Sequence, residues 1–368
     1  EVDERLRTLW SHLTGAPDLG DTFKVDWQHQ VVPDLLISGQ PCTNYSSSGN
    51  QLGEDGETGK FFVEQGGPIL TLEPSSFVLE MVANVRNVHN GRELKKLVDQ
   101  LQSLYVVKTK IIRTIDHGDG TNRQRIFIVG LHRRMGKVAY TFRFPRGQGL
   151  PPPTARTYAI PDKDVPEKYW RDTPLLHRYP VRQPKPGKLH KVAQVADGMG
   201  HSSFPHAIYS WDGIFNCQTT YNGGGMRPPI DWVPSQRIER CRLTTPLECV
   251  RLASLPDDYL DLVRSIDTED EFIFKSVNMG VPLRTATDIY TEVANILNLH
   301  NAVTGERAGS TSTPEPAAHQ CGHVHIDKQR CCFASEVANT GLDGFPFLDN
   351  MKDMCRSMLV DSGCDHTL

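Results

Sequence analysis

The stretch Asp34-Leu35-Leu36-Ile37-Ser38-Gly39-Gln40-Pro41-Cys42 carries a short apolar run directly before a glycine, a proline and a cysteine. The run over residues 31–37 (VVPDLLI), closed by Ser38-Gly39, is typical of a buried parallel strand. Loops at the carboxyl ends of such strands collect the ligands of open α/β sheets, so Cys42 is expected where a site would form. A cysteine taken alone is more often an inert small hydrophobic residue, and both interpretations stay open at this point.

The sequence after Cys42 predicts alternating strands and helices. A helix is expected to begin at Asn90 as its N-cap, with Glu93 as the capping-box partner. The apolar residues of that helix recur at helical spacing: Leu94, Leu97, Val98, Leu101 and Leu104. Strands are predicted at residues 76–79, 105–114 and 125–131. Strand–helix–strand alternation of this kind favours an α/β sheet.

The amino-acid composition changes at Gly147, where the chain becomes rich in proline. Prolines then break up every long element as far as about Arg240, and this part is predicted to be a separate irregular domain or a large insertion. Thr245-Pro246-Leu247-Glu248 is a capping box with proline at the first helical position. A second amphipathic helix is indicated by Ile289, Val293, Ile296 and Leu297. The predicted divisions are therefore residues 1–146, 147–240, 241–307 and a Cys- and His-rich tail over 308–368.

Composition and charge narrow the classes of protein. With 368 residues, 38% hydrophobic and 23% charged, the chain resembles an ordinary soluble globular protein. It shows neither a membrane-spanning run nor a signal peptide, and its nine cysteines lack a disulfide framework, so an intracellular, reducing compartment is expected. The net charge is −4, yet residues 106–191 carry 19 Lys and Arg against 6 Asp and Glu. Such a block can hold a phosphate backbone, or it can be a solvated basic face.

Six stretches occur in one order along the chain, and together they resemble the motifs of the cytosine-5 DNA methyltransferases. They are DLLISGQPCTNYS from Asp34 with Gly49, GKFF from Gly59, FVLEMV from Phe77, NRQRIFIVG from Asn122, RLTTPLECVRLASLPDDY from Arg242 and KSVNMGVP from Lys275. Each one is weak alone, but the ordered set is highly specific and covers about residues 31–297.

The resemblance implies a Rossmann-like S-adenosylmethionine methyltransferase core with an inserted DNA-recognition domain. In such an enzyme, Cys42 would attack carbon 6 of a cytosine flipped out of double-stranded DNA, and Glu80 would hold ring nitrogen 3. One of Arg123 and Arg125 would contact the base or the nucleophile loop; alternatively, both are surface arginines that contact phosphates. Pro41 is the candidate contact to S-adenosylmethionine. The candidate phosphate contacts are Arg178, Arg182, Lys185, Lys188 and Lys191.

The chain also departs from the family pattern. Met81 and Met279 stand where the family has asparagine, and no F-x-G-x-G cofactor loop precedes Cys42. We therefore expect an N-terminally incomplete core, a fragment inactive without a missing N-terminal segment or partner chain that supplies the loop. The alternative is a non-catalytic DNA-binding relative. A nuclear location is expected if the source is eukaryotic, and no metal site is predicted, because the tail's His319, Cys321, His323, His325, Cys331 and Cys332 match no zinc spacing.

Overall fold

The computed structural model describes residues 3–15, 17–39, 42–46, 51–56, 59–64, 66–172, 175–179, 185–195, 207–218, 226–233 and 235–305. The strands are β1 (Leu35–Gly39), β2 (Ser76–Val82), β3 (Tyr105–Arg113), β4 (Gln124–His132), β5 (Trp170–Asp172), β6 (Leu175–Arg178), β7 (Lys191–Val195), β8 (Ala207–Tyr209) and β9 (Arg240–Arg242). The α-helices are α1 (Glu4–Thr14), α2 (Lys60–Glu64), α3 (Gly66–Leu72), α4 (Arg92–Leu101), α5 (Pro246–Leu252), α6 (Asp258–Ile266), α7 (Asp270–Met279) and α8 (Leu283–Thr304).

The main sheet has the strand order β1-β2-β4-β3. β1 runs parallel to β2, whereas β4 is antiparallel to both β2 and β3. The carboxyl ends of β1 and β2 therefore lie beside the amino-terminal end of β4, at the same end of the strands; we call this end the site edge of the sheet. The predicted α/β sheet is confirmed in this mixed form, and the chain segments that resemble the family motifs converge at that edge.

Alternation along the strands divides the core between the two faces of the sheet. Phe77 and Leu79 of β2 pack with Leu97 and Leu101 of α4 on one face. On the other face Val78 and neighbouring β4 side chains pack against the buried stripe of α8. Gly130 of β4 lies opposite Phe77, and the Phe77 ring occupies the space that a side chain at residue 130 would need. The face that α8 covers is also the face of Glu80.

The region between the two halves of the core consists of short elements. Three short 3-10 helices precede β5, and the strands then form the pair β5-β9 and a three-stranded sheet of order β6-β7-β8. This agrees with the irregular texture predicted for residues 147–240, although the predicted domain boundaries stay predictions. The predicted tail over residues 308–368 lies outside the described residues.

Two predictions about local structure were wrong. The strand near residue 31 begins only at Leu35, and it is a half-exposed edge strand in the described sheet, with Ile37 49% exposed. The N-cap of α4 is Gly91, not Asn90; both residues have left-handed backbone angles. Glu93 is not a capping-box partner, because its carboxylate turns inward and contacts His89 Nδ1 at 2.5 Å.

Two other predictions about local structure are confirmed. They are the capping box at Thr245 and Glu248 and the helix over residues 289–297.

Candidate active site

The loop that carries Cys42 is fixed by a buried tyrosine. The Cys42 carbonyl accepts hydrogen bonds from the backbone N–H groups of Tyr45 (3.0 Å) and Ser46 (2.8 Å), which closes a turn. The Tyr45 ring is fully buried, and its hydroxyl donates to the Gly59 carbonyl at 2.9 Å. Asn84, just beyond β2, donates to the Tyr45 carbonyl at 2.8 Å. The Cys42 side chain is exposed beside this rigid turn.

Glu80 lies near the carboxyl end of β2 and forms an ion pair with Arg125. Gly39 is its partner on β1, so the two strand ends place Glu80 close to the Cys42 loop. Arg125 pairs with Val82 across the β2–β4 ladder, and its Nε reaches diagonally to Glu80 Oε1 at 2.7 Å. Burial raises the pKa of Glu80, while the charges of Arg125 and Arg123 oppose that rise. This carboxyl group is therefore more readily protonated near neutral pH than an exposed one.

Arg123 has a different set of partners. Its guanidinium is buried and donates to the carbonyls of Asn278 (2.8 Å), at the end of α7, and Gly280 (3.0 Å), the residue that follows α7. Burial lowers its pKa, and the neighbouring positive charge of Arg125 acts in the same direction. Of the two predicted arginines, Arg125 thus contacts Glu80. Arg123 links the start of β4 to the stretch KSVNMGVP that begins at Lys275.

A second segment approaches Arg123 from the irregular region. Phe215 forms a parallel bridge with Thr121, and its carbonyl accepts from the Asn122 N–H at 3.2 Å. The half-buried Cys217 follows two residues later and interacts electrostatically with Arg123, as does Cys42. Cys249 lies deeper, accepts from Asn278 Nδ2 at 3.4 Å, and has its pKa raised by burial to about 12. Cys249 is therefore an inert thiol at neutral pH, and Cys42 is the exposed one among the described cysteines.

The sequence interpretation did not identify the buried arginine that joins the irregular region to the core. Arg242 donates to Asp162 Oδ1 at 3.0 Å and to Glu248 Oε2 at 2.9 Å. Glu248 is also the capping-box partner of Thr245 at the start of α5. One carboxylate therefore accepts from both the Thr245 N–H and the arginine. The signal available in the sequence was the arginine three residues before the capping box.

The predicted DNA-contacting residues are spread over β6, β7 and the chain between them. Lys185 and Lys188 are exposed, and Lys191 Nζ lies 5.0 Å from the centre of the Tyr179 ring. Arg178 belongs to β6, but its side chain is outside the described part, as are Arg182 and Pro41. The roles of these residues stay predictions.

The seat of S-adenosylmethionine stays a prediction, because its candidate contact Pro41 lies outside the described residues. At the carboxyl end of β1, a Cβ added to Gly39 would lie 3.7 Å from Glu80 Oε2, so this glycine borders the acid. Met81 is fully buried in the core, whereas Met279 is 50% exposed at the end of α7. Within the described ranges, no cluster of three or more metal-ligating side chains occurs, and no helix has the length and hydropathy to cross a bilayer.

Comparison with known proteins agrees with this geometry. The family model of the C-5 cytosine-specific DNA methylases matches residues 1–295. The chain is 28% identical to the type II methyltransferase M1.ScrFI of Lactococcus lactis subsp. cremoris over 298 residues, which is 81% of this chain and 71% of that protein. It is 27% identical to M.HpaII of Haemophilus parainfluenzae over 309 residues, 78% of this chain and 80% of the relative.

Solved structures show the same fold. The Entamoeba histolytica methyltransferase EhMeth superposes with a TM-score of 0.56 and 14% identity, covering 81% of this chain and 89% of that one. The S. pombe Dnmt2 methyltransferase gives a TM-score of 0.54 at 12% identity, covering 81% and 90%. The fold is that of a cytosine-5 methyltransferase. The chain belongs to the C-5 cytosine-specific DNA methylase family, which confirms the resemblance and, at the level of the family, the predicted DNA cytosine-5 methyltransferase activity.

Proposed function

We propose that this chain methylates carbon 5 of cytosine in double-stranded DNA, with Cys42 as the nucleophile and Glu80 as the acid. The observation that carries the assignment is the meeting of the exposed Cys42 turn with the buried Glu80–Arg125 pair at the site edge of the sheet. Family membership implies S-adenosylmethionine-dependent methyl transfer. We propose that the DNA is held partly by the predicted cations at residues 178, 182, 185, 188 and 191.

The covalent step requires a nucleophile and a proton at opposite sides of the pyrimidine. The thiolate of Cys42 forms a bond to carbon 6, and the π electrons of the 5,6 double bond move toward carbon 5 and ring nitrogen 3. When bound, S-adenosylmethionine would supply the methyl group for carbon 5 and would leave as S-adenosylhomocysteine. Loss of the carbon 5 proton and expulsion of the thiolate restore the double bond and release Cys42.

Glu80 is suited to stabilise the adduct at ring nitrogen 3. Its raised pKa favours the protonated carboxyl, which can donate a hydrogen bond or a proton to that nitrogen as negative charge develops there. Arg125 opposes this rise in pKa, so the rise is smaller than burial alone would cause. The Nε contact also fixes the orientation of the carboxyl group.

The source of the cofactor loop stays a prediction. The comparisons do not support the expectation of a missing segment or partner chain, and they do not bear out the expected inactivity of the chain by itself. The exposed edge of β1 is compatible with addition of a further strand. The experiment that tests Cys42 should therefore not depend on methyl transfer alone.

Exchange of the carbon 5 hydrogen provides such a test. Once Cys42 has added to carbon 6, carbon 5 can take a proton from water, so tritium at carbon 5 is released without a methyl donor. We expect the wild-type chain to release tritium from duplex DNA and, with S-adenosylmethionine, to form a covalent complex with 5-fluorocytosine DNA. Cys42→Ser should abolish both signals, whereas Cys217→Ser, the matched control at another thiol that is not fully buried, should retain them.

Glu80→Gln tests the acid in the same assay. An amide can still donate to ring nitrogen 3 but cannot transfer a proton, so exchange should fall by roughly 10²- to 10⁴-fold. Trapping by Cys42→Ser as efficient as by the wild-type chain would refute the catalytic assignment and favour a non-catalytic DNA-binding relative.

A further inference from the structure

A strip of cations follows the edge strand β3 away from the active site. Its members are Lys108 and Lys110 of β3 together with Arg133, Arg143 and Arg146 from the segment after β4; we call them the β3 cationic strip. All except the half-buried Lys108 are exposed. The strip lies outside the predicted cations at residues 178–191 and has no role in the chemistry above.

Four of the five cations of the strip, all except Arg146, are held in place by neutral oxygen atoms. Lys108 Nζ donates to the carbonyls of Tyr140 (3.0 Å) and Phe142 (2.7 Å), and Arg143 donates to the same two carbonyls at 2.9 and 2.8 Å. Lys110 Nζ donates to the Pro145 carbonyl at 3.1 Å. Arg133 bonds the Gln102 carbonyl and the Tyr140 hydroxyl, each within 3.1 Å. The chain over residues 140–145 thus lies along β3 and fixes these side chains.

The strip lacks counter-charges. In the described part of the chain, no carboxylate lies within 4.0 Å of any of the five cations; the nearest ion pair along β3 is Arg113 with Asp116 at 3.6 Å. Burial lowers the pKa of Lys108, and the like charge of Arg143 acts in the same direction. Over residues 105–146 there are ten Lys and Arg against two Asp. Positive charges fixed next to one another without an acid leave room for an external anion.

The strip is continuous with the active site. Ile112 pairs with Arg125 across the β3–β4 ladder, so Lys110 is one diagonal step from the arginine that contacts Glu80. At the other end, the Arg133 N–H donates to the Leu104 carbonyl, just before β3 begins. The extended chain from Leu104 to Lys110 therefore spans about 20 Å, which is the length of about six base pairs of duplex DNA.

We propose that the β3 cationic strip holds the phosphate backbone of double-stranded DNA that flanks the target cytosine, as an extension of the binding surface beyond the catalytic cleft. The inference rests on the proposed DNA methyltransferase function. A duplex is favoured over a flexible anion because the cations are pre-positioned in a row that starts at the reacting base. Such contacts add affinity but carry no sequence information.

The test compares duplexes of two lengths. The strip variant combines Lys110→Gln, Arg143→Gln and Arg146→Gln. The matched control removes the same charge from the opposite face of the sheet, through Lys60→Gln, Lys95→Gln and Lys96→Gln on α2 and α4. Binding is measured as a function of salt with a hairpin duplex of about six base pairs, which extends only about three base pairs to either side of the target, and with a duplex of about 40 base pairs.

We expect the strip variant to lose about tenfold in affinity for the long duplex, and the slope of log K against log salt to fall by about 2 to 3. Binding of the short duplex and tritium release from it should be unchanged, as should both properties of the control on the long duplex. Arg146→Glu alone, at a side chain with no hydrogen bond or ion pair in the described structure, should weaken long-duplex binding without affecting the fold.

Equal losses in the strip variant and the control would overturn the proposal, as would a strip variant that binds the long duplex as tightly as the wild-type chain does. Failure of the proposed function gives a different result, because the wild-type chain would then release no tritium from either duplex.

Discussion

Replacing Arg125 by methionine would leave the Glu80 carboxyl group buried without the cation that contacts it at 2.7 Å. The ordinary pKa of this carboxyl is 4.5, and burial already raises it in the folded chain. The variant can avoid a buried unpaired charge by taking up a proton. Keeping a carboxyl of pKa 4.5 protonated costs at most about 3.4 kcal/mol at pH 7 and about 1.4 kcal/mol at pH 5.5. These values are upper limits on the electrostatic part of the destabilisation.

The sign of the pH dependence follows from proton uptake. With a folded pKa raised above the unfolded value, the folded state binds more protons, so stability is greatest below pH 4.5 and falls as pH rises toward the folded pKa. Arg125→Met raises the folded pKa further and extends that loss to higher pH. We therefore expect urea unfolding to show a destabilisation larger at pH 7 than at pH 5.5, by about 1 to 2 kcal/mol.

The double variant separates charge from packing. In the Glu80→Gln background no carboxyl titrates, so Arg125→Met should cost only the packing of the arginine stem and should show no difference between the two pH values. A destabilisation by Arg125→Met that is the same at pH 5.5 and pH 7 would refute the electrostatic account of this pair.

Three further predictions follow from other contacts. Arg242→Met leaves Glu248 buried without its cation and should destabilise the fold by about 3 to 5 kcal/mol in urea unfolding, whereas a loss under 1 kcal/mol would contradict the proposed junction. Gly130→Ala overlaps the Phe77 ring and should lower stability by about 1 to 3 kcal/mol, with Phe77→Leu restoring part of it; no rescue would argue against the overlap. Arg123→Lys cannot keep both carbonyl contacts at the end of α7 and should reduce tritium release by up to about 100-fold with a smaller change in melting temperature, and full activity would contradict its positioning role.

Local signals predicted the regular parts of the fold. The capping box at Thr245 and the apolar stripe of α8 were both correct because each depends on residues within one or two helical turns. The N-cap of α4 was misplaced by one residue, since asparagine is favoured both as a cap and in left-handed turns; here Asn90 occupies the turn at φ +56° and Gly91 becomes the cap. The strand near residue 31 was predicted too long. Pro33 has no N–H to give a ladder, and pairing with β2 begins only at Leu35.

The site residues could be selected from local motifs, but their contacts could not be predicted, because separate segments form them. Glu80, Arg123 and Arg125 each stand in a recognisable motif, whereas the contact of Arg125 with Glu80 depends on the pairing of β2 with β4. The partners of Arg123 could not be predicted either, since the carbonyl of Asn278 is 155 residues away and backbone acceptors leave no mark in sequence.

These two arginines, which lie two residues apart at the start of β4, therefore connect Glu80 to the stretch KSVNMGVP that begins at Lys275. Arg125 holds the carboxyl of Glu80, and Arg123 holds the end of α7. α8 in turn packs on the same face of the sheet as Glu80, and the charge of Glu80 contributes to the raised pKa of its Tyr290. We therefore expect Arg123→Lys, which loosens the contact of the start of β4 with the end of α7, to disturb the orientation of the Glu80 carboxyl group as well.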